Sequence, residues 1–492
     1  MRRLSRDPDL REEHRDASRS RGRTHEVLAP PEDRTEPVVR REPPGRQEPV
    51  ERGEPVGPGR PVEPRALAEP RQPVQPPASG PAGGADEGFA RSGRQLLRDR
   101  TFGPYFLGKL LSTIGVWVNN IAAAIVVWEL TRSALLVGAV SVGQFLPQLV
   151  LTPWSGARAD RGDRRRQIIT GRLVTAAGSI GLVLWATLIG LEGMAGAFAV
   201  ITAATVVGIG FALGGPAMQS LIPALVRPSE LPTAIALSSV PFTIARASGP
   251  AIGALLVTTT GPTVAFGLAA VTNLLFAAII WRLPIRHVER RPATDGRVRA
   301  GLRYVREHRS MLALLAGTAA IGVGADPVIT LTPSVAERLG MTSSFIGLQA
   351  SAFGVGAGLA FLALAQARLR LGLHRLGTTG LLMLATGIAM LAAAPTAWVA
   401  IVALLVGGAG MSFALTSLTT LVQQQVPEEL RGRVMALWSV AFLGSRPLTA
   451  GITGAVADVS SVVVALLLVV AVLLAGAVVS RPARTRLTAT VR

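Results

Sequence analysis

Three charged residues lie inside stretches of the sequence that are otherwise apolar. Arg246 and Arg446 each lie about 15 residues, or roughly 22 Å of helix, beyond the start of an apolar segment, and Asp326 lies at similar depth in a third. A charge at that depth in a bilayer is costly unless it is paired or hydrated. A carboxylate near an arginine can exchange a proton for a substrate, so Asp326 is the best candidate for a proton carrier, with Arg246 or Arg446 as its partner. The alternative is a structural ion pair between helices.

The sequence carries no motif of a common enzyme active site. The chain has no cysteine, which excludes disulfides, thiol nucleophiles and cysteine-bound metals. Its five histidines fall in polar stretches, so no metal cluster is expected. The sequence contains no phosphate-binding glycine loop with its lysine and no nucleophile elbow. We therefore expect neither an enzyme nor a cofactor, and without a nucleotide site the expected energy source is an ion gradient, with protons as the coupling ion.

Long apolar helices are needed to hold these charges. The chain of 492 residues is 49% hydrophobic and 16% charged, with a mean hydropathy of +0.42, a balance typical of a polytopic membrane protein with a polar tail. Each apolar segment after Tyr105 is near the ~20 residues that cross ~30 Å of hydrocarbon. The sequence thus predicts an all-α polytopic membrane protein with twelve spans at 104–130, 134–156, 167–191, 195–225, 231–258, 262–283, 311–334, 345–366, 375–394, 397–425, 431–457 and 460–480.

The arginines predict the orientation of these spans. Residues 1–100 hold 20 arginines against 18 acidic residues, and the remainder holds 30 basic against 13 acidic residues, so most of the net charge of +19 lies on the apolar part. The basic residues concentrate in alternate connections, which places both termini in the cytoplasm and the chain in a bacterial inner or plasma membrane. The excess is a membrane signal and not a nucleic-acid-binding surface. Expected partners are the bilayer and a small-molecule substrate, and a monomer is the expected functional unit.

Polar segments divide the chain into five parts. The proline-, arginine- and glutamate-rich tail is expected to be disordered, either dispensable or used for docking and regulation. Alternating basic and apolar residues at Gly296–Glu307 favour an amphipathic helix on the anionic inner leaflet, with a flexible linker as the alternative. The predicted parts are a cytoplasmic tail at 1–100, a six-helix bundle at 101–284, a cytoplasmic linker at 285–310, a second six-helix bundle at 311–480 and a cytoplasmic tail at 481–492.

An internal repeat relates the two halves. The stretch Val226–Phe242 is echoed by Val426–Phe442 with one gap, at an offset of 200 residues. Arg246 and Arg446 then occupy equivalent positions. Parallel repeats of this kind are expected when two helix bundles are related by an axis along the membrane normal.

A charged loop between predicted spans 2 and 3 carries a family resemblance. Its pattern is Gly-x-x-x-Asp-Arg-x-x-Arg-Arg, formed by Gly156, Asp160, Arg161, Arg164 and Arg165. This pattern closely resembles the same loop of the major facilitator superfamily. The resemblance implies a solute carrier with twelve transmembrane helices in two six-helix bundles. A loop that is merely positive on the inside would explain the arginines but not Asp160 or Gly156.

The resemblance also implies a conformational latch. Asp160 would cap the positive N-terminal end of span 11, and Arg161 would pair with Glu428 or Glu429, which precede that span. The corresponding stretch of the second half, Ala367–Arg375, lacks the aspartate. The implied latch is therefore asymmetric.

A Gly-Pro motif in predicted span 5 points to the direction of transport. Gly249, Pro250 and Gly253 resemble the motif of superfamily antiporters, which export their substrates, although the upstream glycines of the full motif are absent. The alternative is a packing kink, because glycines allow close helix approach and proline bends a helix.

Shorter stretches narrow the resemblance over about residues 100–480. Glu129–Ser133, Leu302–Arg306 and Leu430–Val434 look like drug:proton antiporters of the enterobactin-exporter, or transmembrane secretion effector, group. Glu129 lies at the predicted outer interface, where a water-facing role and a coupling role are both open. Because span 1 lines the cavity in this superfamily, the resemblance implies that its asparagines contact the substrate. The candidate cavity residues are Asn119, Asn120, Gln144, Gln349, Met411 and Phe413.

The expected function is proton-coupled efflux of a drug, secondary metabolite or siderophore by alternating access. One alternative is an importer of a small organic solute with the same fold. Another is a non-transporting membrane sensor or scaffold that uses its N-terminal tail to bind partners.

Overall fold

The structure describes most of the chain that follows the predicted tail. The computed structural model describes residues 91–284 and 298–485, apart from the side chains of Asp160, Arg161, Val298, Arg299 and Thr485. Every regular element in these ranges is helical, as the sequence predicts. The predicted tail as far as residue 90, the linker at 285–297 and the last seven positions, 486–492, lie outside the described residues.

Sixteen α-helices occur within the described ranges. Helices α1 to α8 are Gly93–Leu97, Phe102–Thr131, Ala134–Arg161, Arg164–Leu188, Gly193–Gln219, Leu231–Thr260, Pro262–Arg282 and Val298–Glu307. Helices α9 to α16 are Arg309–Ala325, Pro327–Thr330, Thr332–Arg338, Ser343–Ala393, Ala397–Gln425, Glu428–Val459, Val462–Val479 and Pro482–Thr485. Two short 3₁₀ turns, Ile222–Ala224 and Pro228–Glu230, connect α5 to α6.

Ten of the described helices are long and apolar enough to cross a membrane, namely α2 to α7, α9, α12, α13 and α15. Helix α14 is 32 residues long but is outside this set. Helix α12 has 51 residues and leaves helical geometry only at Gly372, with φ 70° and ψ 160°. The sequence predicts a connection between two spans at 367–374, whereas this stretch is helical except at the glycine, which reaches positive φ without strain. The count of twelve spans stays a prediction.

Local sequence explains where several helices start. The Ser133 hydroxyl accepts a hydrogen bond from the Leu136 amide at the start of α3, and the Asp163 carboxylate accepts one from the Arg166 amide at the start of α4. Such side chains satisfy amides that have no partner within the helix. Gly261, at φ 92°, lets the chain reverse between α6 and α7.

The long helices form two sets. Helices α2 to α7 pack against one another, and α9 to α15 do the same. Matching glycines permit close packing in both sets: a Cβ on Gly210 would lie 2.6 Å from the Gly171 carbonyl oxygen, and one on Gly410 would lie 2.6 Å from the Gly380 carbonyl oxygen. Gly210 and Gly410 are 200 residues apart, the offset of the internal repeat.

Contacts between the two sets run mainly through α3 with α14 and through α6 with α12. Because successive spans alternate in direction, the end of the molecule where α2 begins differs from the end where it finishes. We call these ends the N-terminal face and the distal face. Helices α3 and α14 run antiparallel, so α3 begins and α14 ends at the distal face.

Residues 91–100 differ from the prediction that the disordered tail extends to residue 100. Helix α1 lies in this stretch, and Arg91 forms ion pairs with Glu230 at 2.5 Å and Asp99 at 2.5 Å. Partial burial works against ionisation of Asp99, but hydrogen bonds from Thr101, Phe102 and Arg91 outweigh it and hold the pKa of Asp99 below its usual range. These two ion pairs hold Arg91 against residues just before α2 and α6.

Candidate binding site between the two helix sets

Asp326 lies where the seventh predicted span is interrupted. It is the residue between α9 and α10, directly before Pro327, whose missing amide allows the helix to break there. The side chain is fully buried. Thr330 Oγ1 donates to Asp326 Oδ2 at 2.8 Å, and Oδ1 has no hydrogen-bond partner within the part of the chain that the structure describes.

Of Arg246 and Arg446, it is Arg446 that interacts with Asp326. The two interact electrostatically, although no ion pair within 4.0 Å joins Asp326 to any arginine of the described ranges. The Arg446 guanidinium lies 3.8 Å from the ring centre of Phe145, which belongs to the other helix set. Its Nε is buried and finds no hydrogen-bond acceptor among the described groups. The pair is therefore near but separated, at the boundary between the sets.

Arg246 crosses the same boundary from the opposite side. Its guanidinium lies 4.9 Å from the ring centre of Phe353 and 5.7 Å from that of Trp117. Arg246 Nη2 donates to Met411 Sδ at 3.2 Å. Phe353 and Met411 belong to the second set, so Arg246, like Arg446, contacts an aromatic ring of the set to which it does not belong. Both arginines are partly exposed.

The uncharged candidates are mostly buried. Asn119 accepts a weak hydrogen bond from Ser179 Oγ at 3.4 Å. Gln349 is fully buried, and neither its amide nitrogen nor its amide oxygen is hydrogen-bonded to another described group. Asn119, Asn120, Gln144, Gln349 and Met411 are all less than 9% exposed, and Phe413 is partly exposed. The structure brings Met411 to Arg246, but no contact joins Arg246 to Asn120, Gln144 or Phe413 among the hydrogen bonds described.

The Gly-Pro motif lies at two helix contacts. A Cβ on Gly249 would lie 2.5 Å from Trp117 Cβ, and one on Gly253 would lie 2.9 Å from the Val118 carbonyl oxygen, so both glycines let α6 approach α2. The Ala251 amide, directly after Pro250, donates to Ser351 Oγ of α12 at 2.9 Å. The motif therefore has a packing role in this conformation, whatever it contributes to the direction of transport.

The latch residues lie at the N-terminal face. Asp160 and Arg161 are in the last turn of α3, and their side chains lie outside the described residues. Arg164 Nη1 donates to the Ser220 carbonyl at 3.3 Å, and Arg165 is partly exposed. Glu428 and Glu429 are exposed in the first turn of α14. Apart from its own helix backbone, no atom of the described side chains and backbone lies within 4 Å of a Cβ placed on Gly156.

The distal face carries contacts that sequence reasoning missed. Asp458, at the end of α14, accepts from Ser133 Oγ at 2.5 Å, the Ala134 amide at 2.7 Å and the Leu135 amide at 3.1 Å. It thus caps the first turn of α3 from the other helix set. Nothing in the local sequence identifies Asp458, because its partners are more than 300 positions away.

Two further acids, Glu337 and Glu129, also join the helix sets at the distal face. We call the contacts of Asp458, Glu337 and Glu129 the distal closure. Glu337 accepts from Trp128 Nε1 at 3.0 Å and Arg132 Nη1 at 2.9 Å. Glu129, exposed at the end of α2, accepts from Ser343 Oγ at 2.5 Å. All three acids join the first set to the second. Glu129 is therefore placed at the closure and not beside Asp326 or the two arginines.

Arg172 is buried inside the first helix set. Arg172 is 3% exposed, and its Nη1 donates to Ser112 Oγ at 3.2 Å and to Asn273 Oδ1 at 3.3 Å. Its guanidinium also lies 5.0 Å from the ring centre of Phe211. These partners come from three other helices of the first set, so Arg172 is a core residue of that set.

Known proteins share this architecture. The family described as transmembrane secretion effector matches residues 92–490. The enterobactin exporter EntS of Salmonella choleraesuis is 27% identical over 350 residues, which are 69% of this chain and 81% of that protein. EntS of Escherichia coli O6:K15:H31 is 28% identical over 351 residues, covering 69% of this chain and 80% of that protein.

A solved structure agrees in fold. The bacterial homologue of the iron transporter ferroportin in its inward-facing state has a TM-score of 0.62 at 17% identity, over 79% of this chain and 98% of that one. Identity this low supports the fold alone. The match over residues 92–490 covers every described helix, so the chain belongs to the transmembrane secretion effector family, a family of multi-pass transporters of the major facilitator superfamily.

Proposed function

We propose that this chain is a twelve-span carrier that exports a drug, secondary metabolite or siderophore in exchange for protons. Twelve spans result when the two arms of α12 on either side of Gly372 are counted separately and α14 is added to the ten apolar helices. The carrier would work by rocking its two helix sets about the boundary where Arg246, Arg446 and Asp326 lie. In this proposal the two sets are the six-helix bundles at 101–284 and 311–480.

One observation carries the proposal: a fully buried carboxyl group with one unpartnered oxygen lies near an arginine at the boundary between the sets. An ionised carboxylate in such a place needs a cation close by. Movement of Arg446 towards or away from Asp326 therefore changes how firmly Asp326 holds a proton. Since Arg446 rests on a ring of the other set, rocking of the sets changes that separation, which couples the proton to the conformational cycle.

The arginine distribution supports a cytoplasmic N-terminal face. The Asp458, Glu337 and Glu129 contacts then close the outer side, and the molecule is in an inward-facing state. This state is the one in which an exporter loads its substrate. Export as the direction is supported by the partial antiporter motif at Gly249–Gly253 and by relatives that are named exporters.

The experiment that tests this proposal uses inside-out vesicles with an acidic interior. Uptake of three pyrene dyes that differ in charge, a sulfonate, a neutral alcohol and a quaternary ammonium, is followed by fluorescence. We expect uptake of at least one dye that collapses when the pH gradient is dissipated. Asp326→Asn should reduce gradient-driven uptake by at least tenfold, because the amide cannot carry a proton.

Asp163→Asn is the matched control. Asp163 caps α4 at the N-terminal face, and asparagine caps a helix as well as aspartate does, so transport should be unchanged. Full gradient-driven uptake by Asp326→Asn, with normal amounts of protein in the vesicles, would show that Asp326 is not the carrier. Uptake of no dye under the gradient would contradict exchange for protons.

A further inference from the structure

The two boundary arginines occupy equivalent places. Arg246 and Arg446 are 200 residues apart, the offset of the internal repeat, and each follows a phenylalanine by four positions, Phe242 and Phe442. Residues four apart on a helix lie on one face. Each guanidinium also lies against an aromatic ring of the opposite set. The halves therefore present the same pair of groups, a ring and a guanidinium, to the boundary.

Their acidic surroundings differ. Arg446 has Asp326, which lies 17 residues after the first residue of α9. The position 17 residues after the first residue of α2 is Asn119, an uncharged residue. Helix α2 carries no acid before Glu129, which lies at the distal face. The first half therefore repeats the arginine without repeating its carboxylate.

Arg246 is held in place but poorly provided with hydrogen-bond acceptors. A guanidinium has five N–H donors in a fixed plane. The side-chain acceptor that the structure gives to Arg246 is the Met411 sulfur, which is a weak one. Trp117 and Phe353 orient the cation through their ring faces without accepting conventional hydrogen bonds. No described carboxylate lies within 4.0 Å of Arg246.

We propose that Arg246 binds an anionic group of the transported compound, a carboxylate, sulfonate or phosphate, in the position that a protein carboxylate occupies in the second half. The proposal rests on the carrier function above and names its substrate class. A planar anion matches the guanidinium fork. The body of the compound would be apolar or aromatic, because the neighbours of Arg246 are Trp117, Phe353 and Met411.

The two arginines would have different roles. Arg246 holds the substrate, and Arg446 with Asp326 handles the proton. Arg246 lies about 15 residues, or roughly 22 Å, along α6 from the N-terminal face. A lipid headgroup stays at the membrane surface, so the anion is part of a solute that enters between the sets.

Binding to the purified full-length protein in nanodiscs of zwitterionic lipid tests the substrate class. The probes are 1-pyrenesulfonate and trimethyl(1-pyrenylmethyl)ammonium, which share a ring system and differ in charge. We expect the sulfonate to bind at least tenfold more tightly than the ammonium. Arg246→Gln should remove that preference, while Arg246→Lys should keep part of it because the charge remains and the planar fork is lost.

Arg158→Gln, an exposed arginine at the N-terminal face, is the control and should bind the sulfonate normally.

Three outcomes would overturn the assignment: equal binding of the two dyes, no binding of the sulfonate, or sulfonate binding that Arg246→Gln leaves intact. None of them affects the Asp326 measurement in vesicles, which reports proton coupling for dyes of any charge. Anionic lipid added to the nanodiscs should not compete with the sulfonate, and competition would show that a headgroup reaches the site.

Discussion

The two ends of the α3–α14 pair differ in how closely they pack. At the distal face a Cβ on Gly454 would lie 2.6 Å from the Ala134 carbonyl oxygen, and one on Gly138 would overlap the Ala450 carbonyl oxygen. Further along, the contact of Gly444 is with the Leu149 side chain, at 3.2 Å. Near the N-terminal face, no described atom outside the backbone of α3 lies within 4 Å of the Cβ position of Gly156. The helices therefore touch backbone to backbone at one end and separate towards the other.

Under the proposed carrier function, this difference suits a helix pair that closes one side of the molecule at a time. Ala134 faces Gly454 and Gly138 faces Ala450, so four residues forward along α3 match four residues back along α14. If the same register continued to the end of both helices, it would set position 160 opposite Glu428, the first residue of α14, in a conformation in which these ends meet. Asp458 caps α3 at one end, and Asp160 is expected by resemblance to cap α14 at the other. The loop of the second half has no aspartate equivalent to Asp160. The expected counterpart of Asp160 is instead Asp458, at the opposite end of the same helix pair.

The largest effect on this comparison is expected from Gly138→Ala. The added methyl would overlap the backbone of α14, and such overpacking typically costs about 1–3 kcal/mol. We expect the distal face to open in a larger fraction of the molecules. Because the chain has no native cysteine, the measurement is maleimide labelling of a single Ser334→Cys reporter at this face. The labelling rate should rise roughly tenfold, since 1.4 kcal/mol is a factor of ten in an equilibrium. Unchanged labelling would mean that the closed distal face does not depend on this contact.

A smaller effect is expected from Asp458→Ala. The variant loses three hydrogen bonds to the first turn of α3, and loss of an N-cap costs about 1 kcal/mol. Labelling of the same Ser334→Cys reporter should rise roughly fivefold. Asp458→Asn is the matched control, because asparagine retains an acceptor oxygen and should give a smaller rise. Equal labelling of the two variants would show that an acceptor oxygen at position 458 does not keep the distal face closed.

The sequence predicts this architecture better than it predicts the closures. Apolar length and arginine placement indicate the helical membrane fold, and the repeat places Arg246 and Arg446 at matching depths, because these signals are local or periodic. Asp458 gives no such signal, since its partners are far along the chain and meet it only after both helix sets have packed. The sequence carries no local signal for the buried site of Arg172 either, because its acceptors, Ser112 and Asn273, come from other helices.

The smallest effect is expected from Gly156→Ala, the same substitution as Gly138→Ala at the opposite end of α3. The added methyl meets no described atom outside its own helix backbone in this conformation, and alanine favours a helix by roughly 0.5–1 kcal/mol over glycine. Thermal stability should therefore be equal to or slightly above that of the unsubstituted protein, and Ser334→Cys labelling should be unchanged. Turnover in vesicles should nevertheless fall, because the methyl would stand between α3 and α14 when the N-terminal face closes. If turnover is unchanged as well, the two helices do not meet at Gly156 in any state of the cycle, and the closure of that face must be assigned to other helices.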